Sequence, residues 1–283
     1  MYISQLLKDC GLDITKKIKI VRHKDGRGVD IQQLHQSGQL ALYQSYQELD
    51  VFRKCDYIVS LIGLDNTKAL LVGVYEVKSS NKVKGFPEGI DVPYRGVAKT
   101  NCKYHYDLVP MPRFENLIDR VIVEWGDLAI VWHQWLHTGD KEVVQVLPKG
   151  HVEEFPGYLE FVLDYSQLTK LYEYPDSNQV WKRMLSTVAG IYLIVDKKTG
   201  MQYIGSASGK EGIYGRWKDY AKTGHGGNKT LLALLEGNPR YVHNFQYTIL
   251  HTLAKTLTKN EVLQFEKKYK EKLGTKANGL NLN

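Results

Sequence analysis

The stretch Ala189-Gly190-Ile191-Tyr192-Leu193-Ile194-Val195, followed by Gln202-Tyr203-Ile204-Gly205, decides how the last third of this chain folds. Both runs are dense in β-branched and aromatic residues, and Asp196-Lys197-Lys198-Thr199-Gly200 between them is turn chemistry. The pair therefore reads as an antiparallel hairpin. Ten residues separate Tyr192 from Tyr203, and tyrosines on neighbouring strands can stand on one face, two phenols on a rigid base. Downstream, residues 213–222 and 229–236 have helical patterning, the second closing at Gly237-Asn238-Pro239. Residues 245–250 read as a third strand, and residues 259–273 as a long amphipathic helix that Thr258 can cap and Gly274 can end. The order β-β-α-α-β-α predicts an α/β (α+β) unit over 186–283, a small antiparallel three-stranded sheet flanked by helices.

The spacing of Gly190-Ile191-Tyr192 and Tyr203-Ile204-Gly205, together with the residues downstream of them, resembles the GIY-YIG nuclease superfamily, and its restriction-endonuclease-like members in particular. The resemblance covers residues 189–281. It implies an Arg on the helix after the second motif, here Arg216 in Tyr214-Gly215-Arg216-Trp217, and a Tyr or His one turn later, here Tyr220. Many members carry His there; repair-type members carry Tyr. It also implies a Glu on a later helix, here Glu266, and an Asn about a dozen residues on, for which Asn278 fits best and Asn281 is the other register. The loop Gly224-His225-Gly226-Gly227-Asn228-Lys229 resembles a stretch of phage and restriction members. Lys210, His225, Asn228 and Lys229 are the DNA-contact candidates, with backbone N–H groups of the glycine-rich loop as the other way of holding a phosphate.

The chemistry implied is hydrolysis of a phosphodiester, which needs an activated water, charge on the phosphoryl oxygens and help for the leaving oxygen. A guanidinium matches phosphate oxygens and stays charged, so Arg216 suits transition-state stabilisation. Glu266 is a hard oxygen ligand suited to one Mg²⁺ (or Mn²⁺) that keeps several waters. Tyr192 is the candidate general base, Tyr203 orients water or phosphate, Tyr220 is a second candidate for the proton, and Asn278 holds the site's geometry. A free phenol titrates near pH 10, so a base role needs a cation beside it. Singly, each residue is commonplace: strand tyrosines are half-buried, and Glu266 among Lys267, Lys268, Lys270 and Lys272 is a surface ion pair.

Residues 1–175 read differently. Residues 14–21 and 69–77 are strand-like, residues 57–64 and 69–77 form a hairpin around Asp65-Asn66, and residues 31–46 have helical spacing broken at Gly38. Residues 120–125, 128–132 and 143–147 add strands. The expectation is a β-rich mixed domain for DNA recognition, joined to the rest through residues 148–180. Leu70-Leu71-Val72-Gly73-Val74-Tyr75-Glu76-Val77 is similar to barrel strands of PUA-like domains, the group that includes modified-base readers. That similarity implies aromatics for stacking, with Tyr43, Tyr57, Tyr75, Tyr94, Trp125, Trp132 and Trp135 as candidates. Two basic stretches offer phosphate contacts: Lys16, Lys17, Lys19, Arg22, Lys24 and Arg27, and Lys78, Lys82, Lys84, Arg95, Lys99 and Lys103.

Charge divides the chain the same way. Val180 to Asn283 holds 17 of the 38 basic and 7 of the 31 acidic residues, more than the whole excess of +7, which suits a polyanion. With 43% hydrophobic and 24% charged residues the composition excludes wholesale disorder and fibrous architecture. No apolar run approaches the roughly 18 residues of a membrane span, and the start, MYISQLLKDCG, lacks secretory-signal features, so a cytoplasmic protein is expected. Cys10, Cys55 and Cys102 are odd in number and lack any CxxC spacing, against disulfides and a cysteine zinc site. His133 and His137 lack the Glu of an HExxH helix, and no nucleotide-binding glycine motif occurs.

These readings converge on a Mg²⁺-dependent DNA endonuclease of a restriction system, acting on double-stranded DNA, with residues 1–175 choosing a sequence or a modified base. One active site per chain leaves a homodimer on DNA or sequential nicking to cut both strands. A homing nuclease is disfavoured because its DNA-binding modules follow the catalytic domain. A repair nuclease is disfavoured because no helix-hairpin-helix region is seen. A non-catalytic DNA-binding protein that kept the fold is the alternative from another class.

Overall fold

The computed structural model describes residues 1–24, 29–64, 67–86, 101–126 and 131–281. The chain divides into two compact units, Met1–Lys149 and Gly150–Asn283.

The first unit runs α1 (Ile3–Asp9), β1 (Ile18–His23), α2 (Ile31–Gln36), α3 (Leu40–Ser45), β2 (Tyr46–Gln47), β3 (Tyr57–Gly63), β4 (Lys68–Lys82), β5 (Tyr104–Pro110), β6 (Val121–Glu124), β7 (His133–Trp135) and β8 (Glu142–Val146). Its eight strands form one sheet in the order β2-β5-β4-β3-β1-β7, with β6 joining β4 to β8. β3 and β4 are the expected hairpin, and β1 runs parallel to β3. The helical spacing over 31–46 resolves into two short helices because Gly38 sits at φ +73° between them, a left-handed conformation that suits glycine. The basic stretch around β1 needs a correction. β1 lies between β3 and β7 and is buried throughout, so Lys19 and Arg22 are inside rather than on a DNA-facing surface. Lys19 donates to the Val51 carbonyl and stands 4.8 Å from the Trp135 ring centroid, and burial pulls its pKa down. Lys16, Lys17, Lys24, Lys78, Lys82, Lys84 and Lys103 are exposed. Arg27, Tyr94, Arg95, Lys99, the Asp65-Asn66 turn and most of the strand expected at 128–132 lie outside the described residues. Cys10, Cys55 and Cys102 are free thiols, as expected, and burial pushes Cys55 up to about 11.

The second unit runs β9 (Leu163–Asp164), α4 (Tyr165–Glu173), α5 (Gln179–Thr187), β10 (Ala189–Asp196), β11 (Gln202–Ala207), α6 (Gly212–Thr223), α7 (Lys229–Leu235), β12 (Phe245–Leu253), α8 (Lys259–Leu273) and α9 (Thr275–Asn278). The three expected strands pair antiparallel in the order β11-β10-β12, and β9 adds a fourth on β12. Residues 150–175 thus belong here and not to the N-terminal part. Asp164 and Gln167 form a capping box that starts α4, and Phe161, Leu163, Leu168, Leu171 and Trp181 pack with Trp217 and Tyr247 in one core. Alternation along the strands splits the sheet's two faces. Tyr192, Ile194, Tyr247 and Ile249 face the α6 side, against Trp217 and Tyr220. Ile191 and Ile204 face α8, against Val262, Phe265 and Tyr269. α8 begins at a Thr258–Glu261 capping box and ends at Gly274, φ +62°.

Candidate active site

Tyr192 pairs with Gly205, and Ile194 pairs with Tyr203, across β10 and β11. Tyr192 and Tyr203 are therefore diagonal neighbours on one face, as the hairpin spacing requires. The glycine of the second motif has a steric reason: a Cβ at Gly205 would run into the Tyr192 ring and hydroxyl. The glycine of the first motif has another, because a Cβ at Gly190 would meet the His251 carbonyl oxygen. The β10–β12 register shifts between Ile191 and Tyr192. Such a bulge re-aims the strand where the site begins.

Above this face α6 brings Arg216 and Tyr220, one turn apart. Arg216 Nε donates to the Tyr192 hydroxyl at 3.2 Å, and Arg216 Nη2 donates to the Tyr220 hydroxyl at 3.1 Å. The two hydroxyls are 3.1 Å apart. Arg216 Nη1 donates to the Gly226 carbonyl at 2.9 Å and to Asp219 at 3.3 Å, which fixes the fork. Both tyrosines are fully buried, while the Arg216 side chain is 29% exposed. Arg216 is thus the member of the hydrogen-bonded trio that solvent reaches. Burial raises the Tyr192 hydroxyl above its ordinary value, and nearby Tyr203 adds to this. The Arg216 charge and the hydrogen bonds from Tyr220 and Arg216 pull the other way. Burial raises Tyr220 too, and Tyr192 beside it raises it further. Of the two phenols, Tyr192 is the one whose anion receives both hydrogen bonds.

Glu266 stands apart from this cluster. It is on α8, across the sheet, and reaches Ser206 on edge strand β11. Its Oε2 accepts from Ser206 Oγ, and its Oε1 pairs with Lys270 Nζ at 2.7 Å. Tyr203 and Ser206 project from opposite faces of β11, so the phenol–guanidinium cluster and the carboxylate flank the same strand. Among the described residues no three His, Cys, Asp or Glu side chains gather to cage a metal. A single carboxylate still fits Mg²⁺, which keeps waters and shares substrate phosphates. Ser206 and Lys270 occupy two of roughly four lone-pair positions on Glu266, leaving room for an ion.

Other expected residues lie elsewhere. Asn278 is exposed at the end of α9. The amide that holds the hairpin is Asn281: its Oδ1 accepts from Ile204 N at 2.9 Å and its Nδ2 donates to Ile204 O at 2.8 Å. With Leu280 N donating to Gln202 O at 2.8 Å, the tail covers the open edge of β11 like a short added strand. Asn228 caps α7, its Oδ1 accepting from Leu231 N at 2.9 Å, so its side-chain acceptor is spent on the helix. The glycine-rich loop does not present a row of open N–H groups. Gly224 N donates to Tyr220 O, Gly226 N to Thr223 Oγ1, Gly227 N to His225 Nδ1 and Asn228 N to His225 O. Because His225 Nδ1 accepts, neutral His225 carries its proton on Nε2, a donor for a phosphate. Lys210 and Lys229 are exposed. The sequence names Lys270 among the lysines that make Glu266 an ion pair, and the structure selects it, one turn after Glu266. Ser206, next to the motif glycine, and the Gly226 carbonyl are not singled out by the sequence.

Residues 188–281 match the family model described as the GIY-YIG catalytic domain. They form a GIY-YIG catalytic domain. Two solved structures are similar to this part of the chain, both titled as the catalytic domain of I-TevI, one an intron-endonuclease point mutant and one the homing endonuclease. Each is 25% identical and covers 34% of this chain, at TM-score 0.27, with 94% and 98% of the solved chain covered. No curated protein matches. On the family match, residues 188–281 are a nuclease domain, and within it Tyr192, Arg216 and Tyr220 are joined by hydrogen bonds, with Tyr203 on the same face and Glu266 across β11.

Proposed function

We propose that the chain is a Mg²⁺-dependent DNA endonuclease of a restriction system, whose first unit selects the target. The observation that carries the reading is the Arg216 fork on the Tyr192 and Tyr220 hydroxyls, at 3.2 and 3.1 Å, beside a strand that Glu266 reaches from the other side. A phosphodiester laid over β11 meets Arg216 first, because the guanidinium shields both phenols. Arg216 drawn toward a phosphoryl oxygen stabilises its developing charge and opens Tyr192 to water. Tyr192, having lost its proton to solvent and held as the phenolate by hydrogen bonds from Arg216 and Tyr220, takes the proton of the attacking water and becomes the neutral phenol. Tyr203, half-buried on the same face, orients the water or phosphate. Glu266 is the residue that would hold the ion, which when bound supplies positive charge to the phosphate and the leaving oxygen. His225, Lys210 and Lys229 contact flanking phosphates. Cutting both strands takes a homodimer on DNA or two successive nicks. Cytoplasmic DNA is the substrate pool of such an enzyme.

The test is conversion of supercoiled plasmid to nicked and linear forms with Mg²⁺, on unmodified, methylated and hydroxymethylated DNA, beside Glu266→Ala and Tyr192→Phe. Discrete fragments lost in both variants support the restriction reading. Cutting of modified DNA alone assigns base-modification reading to the first unit. Binding without Glu266-dependent cutting would leave a DNA-binding protein in place of the enzyme.

A further inference from the structure

The first unit contains a cavity of about 460 Å³ at the C-terminal end of β1, against the α3–β2 turn and the residue that enters β7. That volume lies within the roughly 300–1,000 Å³ of small-molecule sites. Its walls combine three kinds of chemistry. Tyr43, Tyr46 and Trp132 supply aromatic surface, His23 and Arg22 supply buried polar groups, and Lys24 stands exposed among the lining residues. The His23 ring lies 6.1 Å from the Tyr43 ring and 6.1 Å from the Trp132 ring, so the imidazole borders both aromatics. Trp132 is tied to β1 by Arg22 N donating to its carbonyl at 2.7 Å. Tyr46 is held by the His105 ring at 4.5 Å and the Phe86 ring at 4.7 Å.

Behind the wall His23 is fixed in turn. Its Nε2 lies 3.0 Å from Gln44 Oε1, which also accepts from Ser60 Oγ at 2.6 Å. Gln44 and Ser60 are fully buried, and Gln44 Nε2 is a donor with no partner among the described residues. The buried Ser60–Gln44–His23 chain fixes the orientation of the imidazole at the cavity wall. An apolar guest would not need Arg22, His23 and Lys24. A bare phosphate would not need three aromatic rings. A planar heterocycle with hydrogen-bonding edges, attached to a phosphate, needs both.

We infer that this cavity receives a single unstacked nucleobase, with Tyr43 and Trp132 against its faces, His23 at its edge and Lys24 near its phosphate. The inference rests on the reading of the chain as a DNA endonuclease, since it gives the first unit a way to select DNA. The same chemistry fits a base extruded from a duplex and the base of a free nucleotide.

Full-length Glu266→Ala, expected to bind without cutting, is titrated with two kinds of probe. One is a fluorescent duplex that is fully paired or carries one mismatch; the other is each of the four deoxynucleoside monophosphates and 5-methyl-dCMP. A mismatched base costs less to unstack. The expected result is binding of the mismatched duplex about 10-fold or more tighter than the paired one, with Tyr43→Ala or Trp132→Ala erasing that preference. Saturable nucleotide binding lost in the same variants, without duplex preference, assigns the cavity to free nucleotides and still supports a nucleobase site. Trp132→Phe, which keeps an aromatic face, is expected to retain most of the preference and controls for folding. A mismatch preference or nucleotide binding unchanged in Tyr43→Ala and Trp132→Ala overturns the proposal, as does the absence of both. Nicking of plasmid by the unsubstituted protein is scored separately. Nicking with no role for the cavity sinks only this inference, whereas no Glu266-dependent nicking sinks the endonuclease reading itself.

Discussion

Replacing Tyr220 by Phe tests the proton chemistry of the site with one atom. In the proposed mechanism Tyr192 ionises in a fully buried position, and burial raises it above its ordinary value. Two groups soften that cost: Arg216 Nε at 3.2 Å and the Tyr220 hydroxyl at 3.1 Å. A hydrogen bond to a charged group is worth about 1.5–3 kcal/mol, and one pKa unit is about 1.4 kcal/mol. Removing the Tyr220 donor therefore raises Tyr192 further and lowers the phenolate population about 10–100-fold at a given pH. The sign comes from the role: a general base works as the phenolate, so a higher pKa means less active form at every pH below it. The cleavage rate of the unsubstituted protein is expected to climb about tenfold per pH unit from pH 6 to 9. Tyr220→Phe should give a parallel line about 10–100-fold lower, with unchanged DNA affinity. Tyr192→Phe should leave a low rate with no such climb. The assay is single-turnover nicking of supercoiled plasmid at saturating protein, with anisotropy reporting affinity. If Tyr192→Phe keeps the full slope, another group activates the water and the reasoning fails. A Tyr220→Phe rate equal to that of the unsubstituted protein would remove the second phenol from the chemistry.

The same geometry sets three further outcomes. Lys270 pairs with Glu266 at 2.7 Å and competes with a cation for that carboxylate, so Lys270→Ala should lower the Mg²⁺ concentration for half-maximal nicking several-fold; a higher requirement would assign Lys270 to the substrate. Asn281→Leu strips both hydrogen bonds from buried Ile204 and leaves its N–H and C=O unpaired, a loss of about 2–5 kcal/mol that calorimetry should read as a fall of roughly 10 °C or more in the unfolding of residues 150–283. Asn278→Leu, on the surface, should leave that transition in place. Gly205→Ala forces a methyl group into the Tyr192 ring, and the nicking rate should fall far more than thermal stability; an active Gly205→Ala protein would show that the ring position is not what the motif glycine preserves.

The second unit is legible in the sequence where local chemistry decides structure. α8 runs from residue 259 to 273, as read from Thr258, Gly274 and the apolar spacing between them, because caps are written in single residues. The hairpin is legible because its turn and both strands are contiguous. What spacing cannot convey is side. Glu266 and Arg216 come from helices on opposite faces of the sheet, and nothing local in either helix says which face it covers. The choice of Asn278 over Asn281 fails for a related reason. A count of residues cannot see that the chain after α9 turns back along β11, where Asn281 finds the Ile204 amide. Asn228 reads as a DNA contact in the sequence, yet the same side chain makes an N-cap to α7, and a cap is the commoner use of Asn before an apolar run. Residues 150–175 look like a junction because prolines and glycines punctuate them. Phe161 and Trp181 instead complete the core on which Trp217 rests.

That core sets how the Tyr192–Arg216–Tyr220 cluster is buried. Trp217 and Tyr220 are on one helix, and Trp217 packs edge-on to Tyr192 and Phe161, with ring centroids 6.1 Å apart in both pairs. The aromatic packing that stabilises α6 on the sheet is therefore the same packing that sets the height of Arg216 above the phenols. Asp219 and the Gly226 carbonyl then fix the guanidinium from outside. Gly226 holds φ +54°, and a Cβ there would collide with the Tyr220 ring, so the loop lies against the phenol. Loop, helix and hairpin converge on one guanidinium, whose side chain keeps 29% of its surface exposed. A substrate that pulls Arg216 outward works against the Gly226 contact and exposes Tyr192 in the same movement. On the proposed mechanism, binding of the phosphate and access of water to Tyr192 are thereby joined through a single side chain, and an unliganded site keeps that phenol covered.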